Sequence, residues 1–369
     1  MRSLVFAFAV LCAACGPRGE IAYNPDAERS GPAPEIFVGT SRLSDAVTGD
    51  FGVGRSTTGA LARYVVQLPQ EREPGTISWP RPGRAADPAR NFVTIERARY
   101  SDPAAFRADL ARALAAEPPG QRELRVFVHG FNTTFAEGLY RLAQLDHDLN
   151  LPGVSVLFSW PSRGKPLAYL ADRDSATLAR DSYEAFLNEL AQTDAERIIL
   201  IGHSMGTLMT MEALRQIAIA GNRKVLDRIG GVVLLSPDLD VDVFEAAARR
   251  IGVLPQPFFV FVSERDSALS LSARLAGRTK RLGNLDDPEK LAALDITVVD
   301  TTAFSVRDGH FNVGTSPSLI GIIGSMTDIS QAFQGDQSDN AGLFTQTVKT
   351  FQHARVVTVG PGVGKPGER

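Results

Sequence analysis

Ser204 stands between two glycines in the stretch "IILIGHSMGTL", residues 198–208, where a serine can be presented as a nucleophile. Ile198, Ile199, Leu200 and Ile201 form an aliphatic run suited to a strand buried on both faces of a parallel sheet. Leu208, Met211, Leu214 and Ala218 then recur at helical spacing, so a helix begins within a few residues of the strand's end. A turn that tight strains the backbone at Ser204 and leaves no room for side chains two positions away. Gly202 and Gly206 remove the conflict. The hydroxyl is lifted above the amino end of the new helix, where backbone N–H groups face an oxyanion, which is the logic of the nucleophile elbow G-x-S-x-G. The plainer alternative is a glycine-flanked turn whose serine only caps the helix.

A serine hydroxyl needs a base, and the base needs an acid to orient it. Five histidines are available: His129, His147, His203, His310 and His353. His203 adjoins the serine and is badly placed to turn toward it, while His147 and His353 fall in a charged helix end and in the tail. His129 ends a strand just before Gly130, where an oxyanion loop is expected. His310, in "RDGHFNV" after the last strand of the main series, is the preferred base; the alternative is a loop histidine bonded for structure. Two acids compete. Asp266 in "FVFVSERDSAL" is preferred over Asp238 in "LLSPDLD", because it gives the chain order Ser, Asp, His with the acid nearer the histidine loop. The rejected carboxylate would cap a loop. For the oxyanion, "VFVHGFN" offers the N–H of Phe131 beside close-approaching Gly130, to join the N–H of Met205 after the nucleophile; Asn132 braces that loop. Trp160 and Arg163 in "FSWPSRG" border the same edge, either shaping a pocket or serving as core and solvated residues.

These residues must be delivered by a sheet. Apolar runs at 124–130, 154–160, 197–204, 230–238, 258–264 and 295–301 alternate with helical stretches at 135–149, 175–191, 208–220 and 241–251. That alternation predicts an α/β fold with a parallel, doubly wound sheet, whose catalytic groups gather at the carboxyl ends of the strands. Residues 36–100 carry shorter strand candidates that suggest antiparallel pairs leading into the sheet, and 103–116 reads as a helix capped by Asp102 with Pro103 in its first turn. Residues 16–35 read as a flexible tether and 335–369 as a poorly ordered, Gly-rich tail, leaving 36–334 as the folded domain.

A net charge of -3 and 22% charged residues give no basic surface for nucleic acid. The first fifteen residues, "MRSLVFAFAVLCAAC", have one cation, a short apolar stretch and then small residues. They read as a secretory signal too short to span a membrane. Ala13-Ala14-Cys15 resembles the site at which bacterial lipoproteins are cleaved and acylated, although Cys12 stands where leucine is usual; ordinary signal peptidase cleavage is the alternative. Both cysteines of the chain, Cys12 and Cys15, lie in this leader, so the expected mature chain holds no disulfide. Gly16 rather than an aspartate follows Cys15, and by the same resemblance the destination is the outer membrane.

Taken in order, "HGFN", "FSWPSRG", "GHSMG", "SPDLDVDVF" and "DGHFNV" resemble the bacterial α/β-hydrolases grouped as domain-of-unknown-function family nine hundred, relatives of esterases and lipases. The resemblance covers roughly residues 36–330 and implies an eight-stranded α/β-hydrolase sheet with a Ser204, Asp266, His310 triad transferring an acyl group to water. It implies an ester or acyl substrate, small molecule or lipid, and neither metal nor cofactor. Its rivals are an amidase, thioesterase or acyltransferase with the same triad, and a non-catalytic binding lipoprotein of the cell envelope on a hydrolase scaffold. No insertion long enough for a helical lid separates "LLSPD" from "FFVFV".

Overall fold

The computed structural model describes residues 18–81, 84–275, 281–284, 288–305, 310–324 and 344–361. The leader, with Cys12 and Cys15, lies outside them. Eleven strands of the described residues share one sheet: β1 (Glu35–Ser44), β2 (Phe51–Gln67), β3 (Val93–Tyr100), β4 (Glu123–Val128), β5 (Val154–Ser159), β6 (Arg197–His203), β7 (Ile229–Leu235), β8 (Phe258–Val262), β9 (Thr297–Asp300), β10 (Phe344–Phe351) and β11 (Ala354–Pro361). Their spatial order is β3-β2-β1-β5-β4-β6-β7-β8-β9-β11-β10. The run from β1 to β11 is parallel, with antiparallel pairs β1–β2–β3 at one edge and β10–β11 at the other.

Side-chain alternation along the central strands splits the core into two layers. Val126, Val156, Leu200, Val232 and Val260 face one layer, and Phe127, Leu157, Leu235 and Phe261 the other. The first layer is closed by α1 (Pro103–Ala116), α3 (Tyr169–Leu190), α4 (Met205–Ile219) and α6 (Val241–Ile251). The second is closed by α2 (Phe135–Leu149) and α9 (Pro317–Gly324). Short helices α5 (Arg223–Leu226) and α8 (Asn312–Thr315) and the longer α7 (Ser267–Leu275) lie in the connections. The result is the α/β-hydrolase architecture, a mostly parallel sheet between helical layers. Strand registry keeps the carboxyl edge of the sheet level: Val128 pairs with both Phe158 and Gly202, His203 with Leu235, and Leu235 with Phe261. No described helix is long and apolar enough to cross a membrane.

Three expectations need correction. The sheet has eleven strands rather than eight, because β1–β3 form an antiparallel meander and a hairpin is added beyond β9. That hairpin, β10–β11, falls in the tail read as poorly ordered; its backbone is paired over eight positions and Arg355 to Thr358 pair in parallel with β9, which satisfies the edge. Residues 335–343 and 362–369 of that tail lie outside the described residues. From residue 18 onward the tether is bound to the body of the fold. Asn24 N donates to Thr94 O (2.9 Å), Thr94 N to Ala22 O (2.8 Å), Leu68 N to Pro32 O (2.8 Å), and Ala22 N to the Tyr140 hydroxyl (3.0 Å).

Candidate active site

β6 ends at His203 and α4 begins at Met205, so Ser204 makes the whole turn, with φ 51° and ψ −121°. A positive φ is costly for a residue with a Cβ, and it persists here because the neighbours overdetermine it. Ser204 N donates to Leu235 O (3.0 Å), and Ser204 O accepts from Thr207 N (3.0 Å), Thr207 Oγ1 (2.6 Å) and Asp238 N (3.3 Å). The two flanking glycines are required by space. A Cβ on Gly206 would run into the Val128 carbonyl and lie 2.7 Å from His129 O, and one on Gly202 would lie 3.0 Å from Thr207 Cα. Met205, as the first residue of α4, directs its N–H out of the helix with no intrahelical acceptor.

Across from the serine, the loop after β4 presses against it. A Cβ on Gly130 would stand 2.8 Å from Ser204 Cβ, so only glycine lets the backbone before Phe131 come this close. His129, at the end of β4, is enclosed, its ring stacked on Trp160 at 5.2 Å. Its Nδ1 donates to Gly130 O (3.0 Å), which fixes the tautomer, and its Nε2 accepts from Ser159 Oγ (3.0 Å). Burial, aided by the nearby Arg42 charge, pushes this imidazole down to about 3. His129 is therefore a neutral structural group. Trp160 donates through Nε1 to His129 O (2.8 Å) and is wholly buried, so it belongs to the frame of the loop. Asn132 holds a positive φ of 56°, and its side chain and carbonyl both accept from Arg18, at 2.9 Å and 2.6 Å.

His310 and Asp266 come together from two other connections. His310 Nδ1 donates to Asp266 Oδ2 (2.8 Å), leaving Nε2 as the basic nitrogen, and Asp266 Oδ1 accepts from Leu269 N (2.9 Å) at the start of α7. The carboxylate side chain is fully buried. The His310 ring lies 4.9 Å from that of His203, the residue before the serine, so His310 and Ser204 share one edge of the sheet. Enclosure, followed by the neighbouring His310 and Arg141, holds His203 well below the ordinary imidazole value. His147 and His353 are exposed.

Asp238, the competing acid, is engaged elsewhere. Its Oδ2 accepts from the Tyr169 hydroxyl (2.9 Å), its Oδ1 accepts from Ser272 Oγ (2.8 Å), and Arg281 Nε pairs with it at 3.2 Å. Tyr169 in turn meets Phe131 edge-on at 5.3 Å, so Asp238 is linked through Tyr169 to the Phe131 ring. Burial beside this carboxylate pushes the Tyr169 phenol up to about 12. Arg163 is exposed, and only its backbone N–H enters the network, donating to Asp172 Oδ1 (2.9 Å). A cavity of about 650 Å³ opens beside the site, bounded by Gly130, His203, Arg141, Trp79 and Phe311. No cluster of three or more His, Cys, Asp or Glu among the described residues is placed to hold a metal ion.

No sequence motif marks Arg42, Ser159, Ser162 or Asp172, which form a buried network behind the loop after β4. "FSWPSRG" contained two of them, but nothing local marks a serine as a bridge between distant segments.

The model of the family described as Alpha/beta hydrolase of unknown function (DUF900) matches residues 102–325. The chain belongs to that family. The matched span runs from the start of α1 through α9 and so contains Ser204, Asp266 and His310. No curated protein shows significant similarity. Among solved structures the chain is similar to a monoacylglycerol lipase of Paleococcus ferrophilus, at 17% identity and TM-score 0.34 over 56% of this chain and 95% of that one. It is also similar to Est1E from Butyrivibrio proteoclasticus, at 16% and 0.30 over 48% and 77%. A third similarity is to one of two fungal esterases from Rhizomucor miehei, at 12% and 0.33 over 80% and 82%.

Proposed function

We propose that this hydrolase-family chain is an exported serine esterase that cleaves carboxylic esters through an acyl-enzyme and is held at the bacterial cell envelope, on the outer membrane, by a lipid on Cys15. Ser204 attacks the ester carbonyl while His310 Nε2 takes the hydroxyl proton, and the same nitrogen returns it to the departing alkoxide. Asp266 keeps the proton on Nδ1 and stabilises the imidazolium that forms. The amides of Phe131 and Met205 receive the tetrahedral oxyanion, whose charge exists only on the way between substrate and product and so is bound in preference to either. Water activated by His310 then releases the acid. The chemistry asked of the site is supplied by side chains and backbone amides of the chain itself.

The observation that carries this reading is the bond from His310 to Asp266 on the edge where Ser204 holds its positive φ. It is tested by offering the purified protein short-chain p-nitrophenyl esters, thioesters and amides alongside Ser204→Ala. Ester turnover reduced by about 10⁴-fold or more in the variant supports the proposal; full ester hydrolysis without Ser204 contradicts it. A thioester or amide preferred by more than tenfold would replace the ester assignment. For the anchor, Cys15→Ser should move the protein from the membrane to the soluble fraction, and an unchanged distribution would refute lipidation.

A further inference from the structure

Arg42, near the carboxyl end of β1, is 2% exposed, yet none of the groups it is bonded to is charged. Its Nε donates to Ser159 Oγ (2.9 Å), Nη1 to Gly52 O and Ser162 O (both 3.0 Å), and Nη2 to Thr133 O (2.9 Å), with His129 Nε2 at 3.5 Å from Nη2. Burying a guanidinium without a bonded carboxylate is costly, and a fold that only needed to close β1 on β2 could do so with an apolar side chain. The cost has an effect on the guanidinium itself: burial pushes it down to about 9, against the opposing pull of Asp172 and Glu137.

The acceptors belong to three segments that are distant in sequence. Gly52 is the second residue of β2, Ser159 and Ser162 flank the end of β5, and Thr133 lies two residues after Phe131. Asp172, fully buried on α3, closes the arrangement from the other side. Its Oδ2 accepts from Ser162 Oγ (2.6 Å) and Asn132 N (3.4 Å), and its Oδ1 from Arg163 N (2.9 Å). Ser162 Oγ accepts in turn from Thr133 N (3.0 Å). Ser162 is thus gripped by a cation through its carbonyl and by an anion through its hydroxyl, and the amides of residues 132 and 133 hang from the same pair.

We propose that Arg42 and Asp172 are a pair of opposite charges, bridged by Ser162, that positions the Phe131 amide for the oxyanion. This rests on the serine-esterase reading above. Both are positioning residues, since neither is asked to touch substrate. An amide aimed at an oxyanion must be held within about half an ångström to act in the transition state. A flexible loop would bind the ground-state ester nearly as well and lose rate, so the expected signature is a fall in kcat at nearly constant KM.

Three variants test this against a short-chain ester and a trifluoromethyl ketone, which becomes an anionic hemiketal on the serine. Arg42→Lys, Ser162→Ala and the neutral double variant Arg42→Met with Asp172→Asn should each lower kcat by about 10- to 100-fold, below the cost of deleting an oxyanion donor outright. KM should stay within about threefold, and ketone affinity should fall by the same factor as kcat. The double variant removes both charges together, so it keeps its fold by near-ultraviolet circular dichroism while kcat stays low; Ser162→Ala, a single hydroxyl smaller, decides the question if Arg42→Lys does not fold. A folded variant with unchanged kcat and ketone affinity, or losses that only follow the folded fraction, would overturn the proposal. A wild-type protein that neither turns over ester nor takes a fluorophosphonate on Ser204 would instead overturn the reading beneath it.

Discussion

Ser204 and the loop facing it are held by a lattice of buried hydrogen bonds, whereas Asp266 and His310 meet across two connections through a carboxylate–imidazole bond. On the first side every anchoring group is itself anchored: Trp160 holds His129, Ser159 holds His129 and Arg42, Ser162 holds Thr133. On the second side Asp266 divides its oxygens between one helix-capping amide and one imidazole. The difference follows from what each side does in the proposed chemistry. A tetrahedral oxyanion is stabilised only by dipoles that do not reorganise. A proton carrier needs its tautomer fixed at one nitrogen and its other nitrogen left able to exchange partners.

Substituting the two acids should separate the two sides most strongly. Asp266→Asn should leave the fold intact and lower kcat by about 10⁴-fold through the wrong imidazole tautomer. Asp238→Asn should do the opposite. It leaves Arg281 buried without its carboxylate, costing about 3–5 kcal/mol of stability by urea unfolding, with kcat of the folded enzyme within tenfold of wild type. A larger kcat loss at Asp238 than at Asp266 would exchange their roles. Next in size is Gly206→Ala, whose methyl would strike the Val128 carbonyl, a backbone group with no freedom to yield. A loss of about 3 kcal/mol in unfolding free energy is expected, and a neutral outcome would show that the elbow is looser than its packing indicates.

Acid should separate the two sides as well. His129 is held down to about 3, and His203 is also lowered, from the ordinary 6.5. An unfolded chain protonates both near that ordinary value while the folded chain does not, so the unfolded state binds more protons. Stability is complete above about pH 6.5 and falls with acid by about 1.4 kcal/mol per pH unit for each histidine. Unfolding free energies measured between about pH 6 and pH 4.5 should have a shallower slope in His129→Gln, by about 1.4 kcal/mol per unit. An unchanged slope would mean that His129 is protonated in the folded protein. The smallest effect is at the amino end of α2, where Thr134 Oγ1 accepts from Glu137 N (3.2 Å) and Glu137 Oε2 from Thr134 N (2.8 Å). Thr134→Ala should cost about 1 kcal/mol with little change in kcat, as expected of a cap adjoining a loop that other groups already hold.

The legible parts of this molecule are those whose signals are local. α2 and α6 match their sequence periodicity to the residue, and the six runs from 124 to 301 each overlap a strand of the sheet, although β4 and β7 begin one residue earlier, at Glu123 and Ile229. α3 starts at Tyr169, six residues before its expected start, because the 3-10 turn at Pro166–Ala168 leads directly into it. The Gly-x-Ser-x-Gly spacing states its own reason, since both glycines are demanded by atoms within a few residues or one strand away. Chain order favoured Asp266, and the bond to His310 agrees, but the occupation of Asp238 by Tyr169, Ser272 and Arg281 depends on packing among four distant segments. Arg42 was hidden for the same reason. In "GTSRLS" it looks like a solvated strand-end cation, and only the folded arrangement brings acceptors from 10, 117, 120 and 91 residues away to its fork. β10 and β11 were missed because polar, Gly-containing sequence carries little sign of the long-range parallel pairing with β9 that orders it.

If Ser204 is an activated nucleophile, covalent labelling of the purified protein with a fluorophosphonate probe will show it. A single stoichiometric adduct is expected, mapped by mass spectrometry to Ser204, absent in Ser204→Ala and formed far more slowly in Asp266→Asn. A folded protein that takes no probe, or takes it equally well without Ser204, would contradict it.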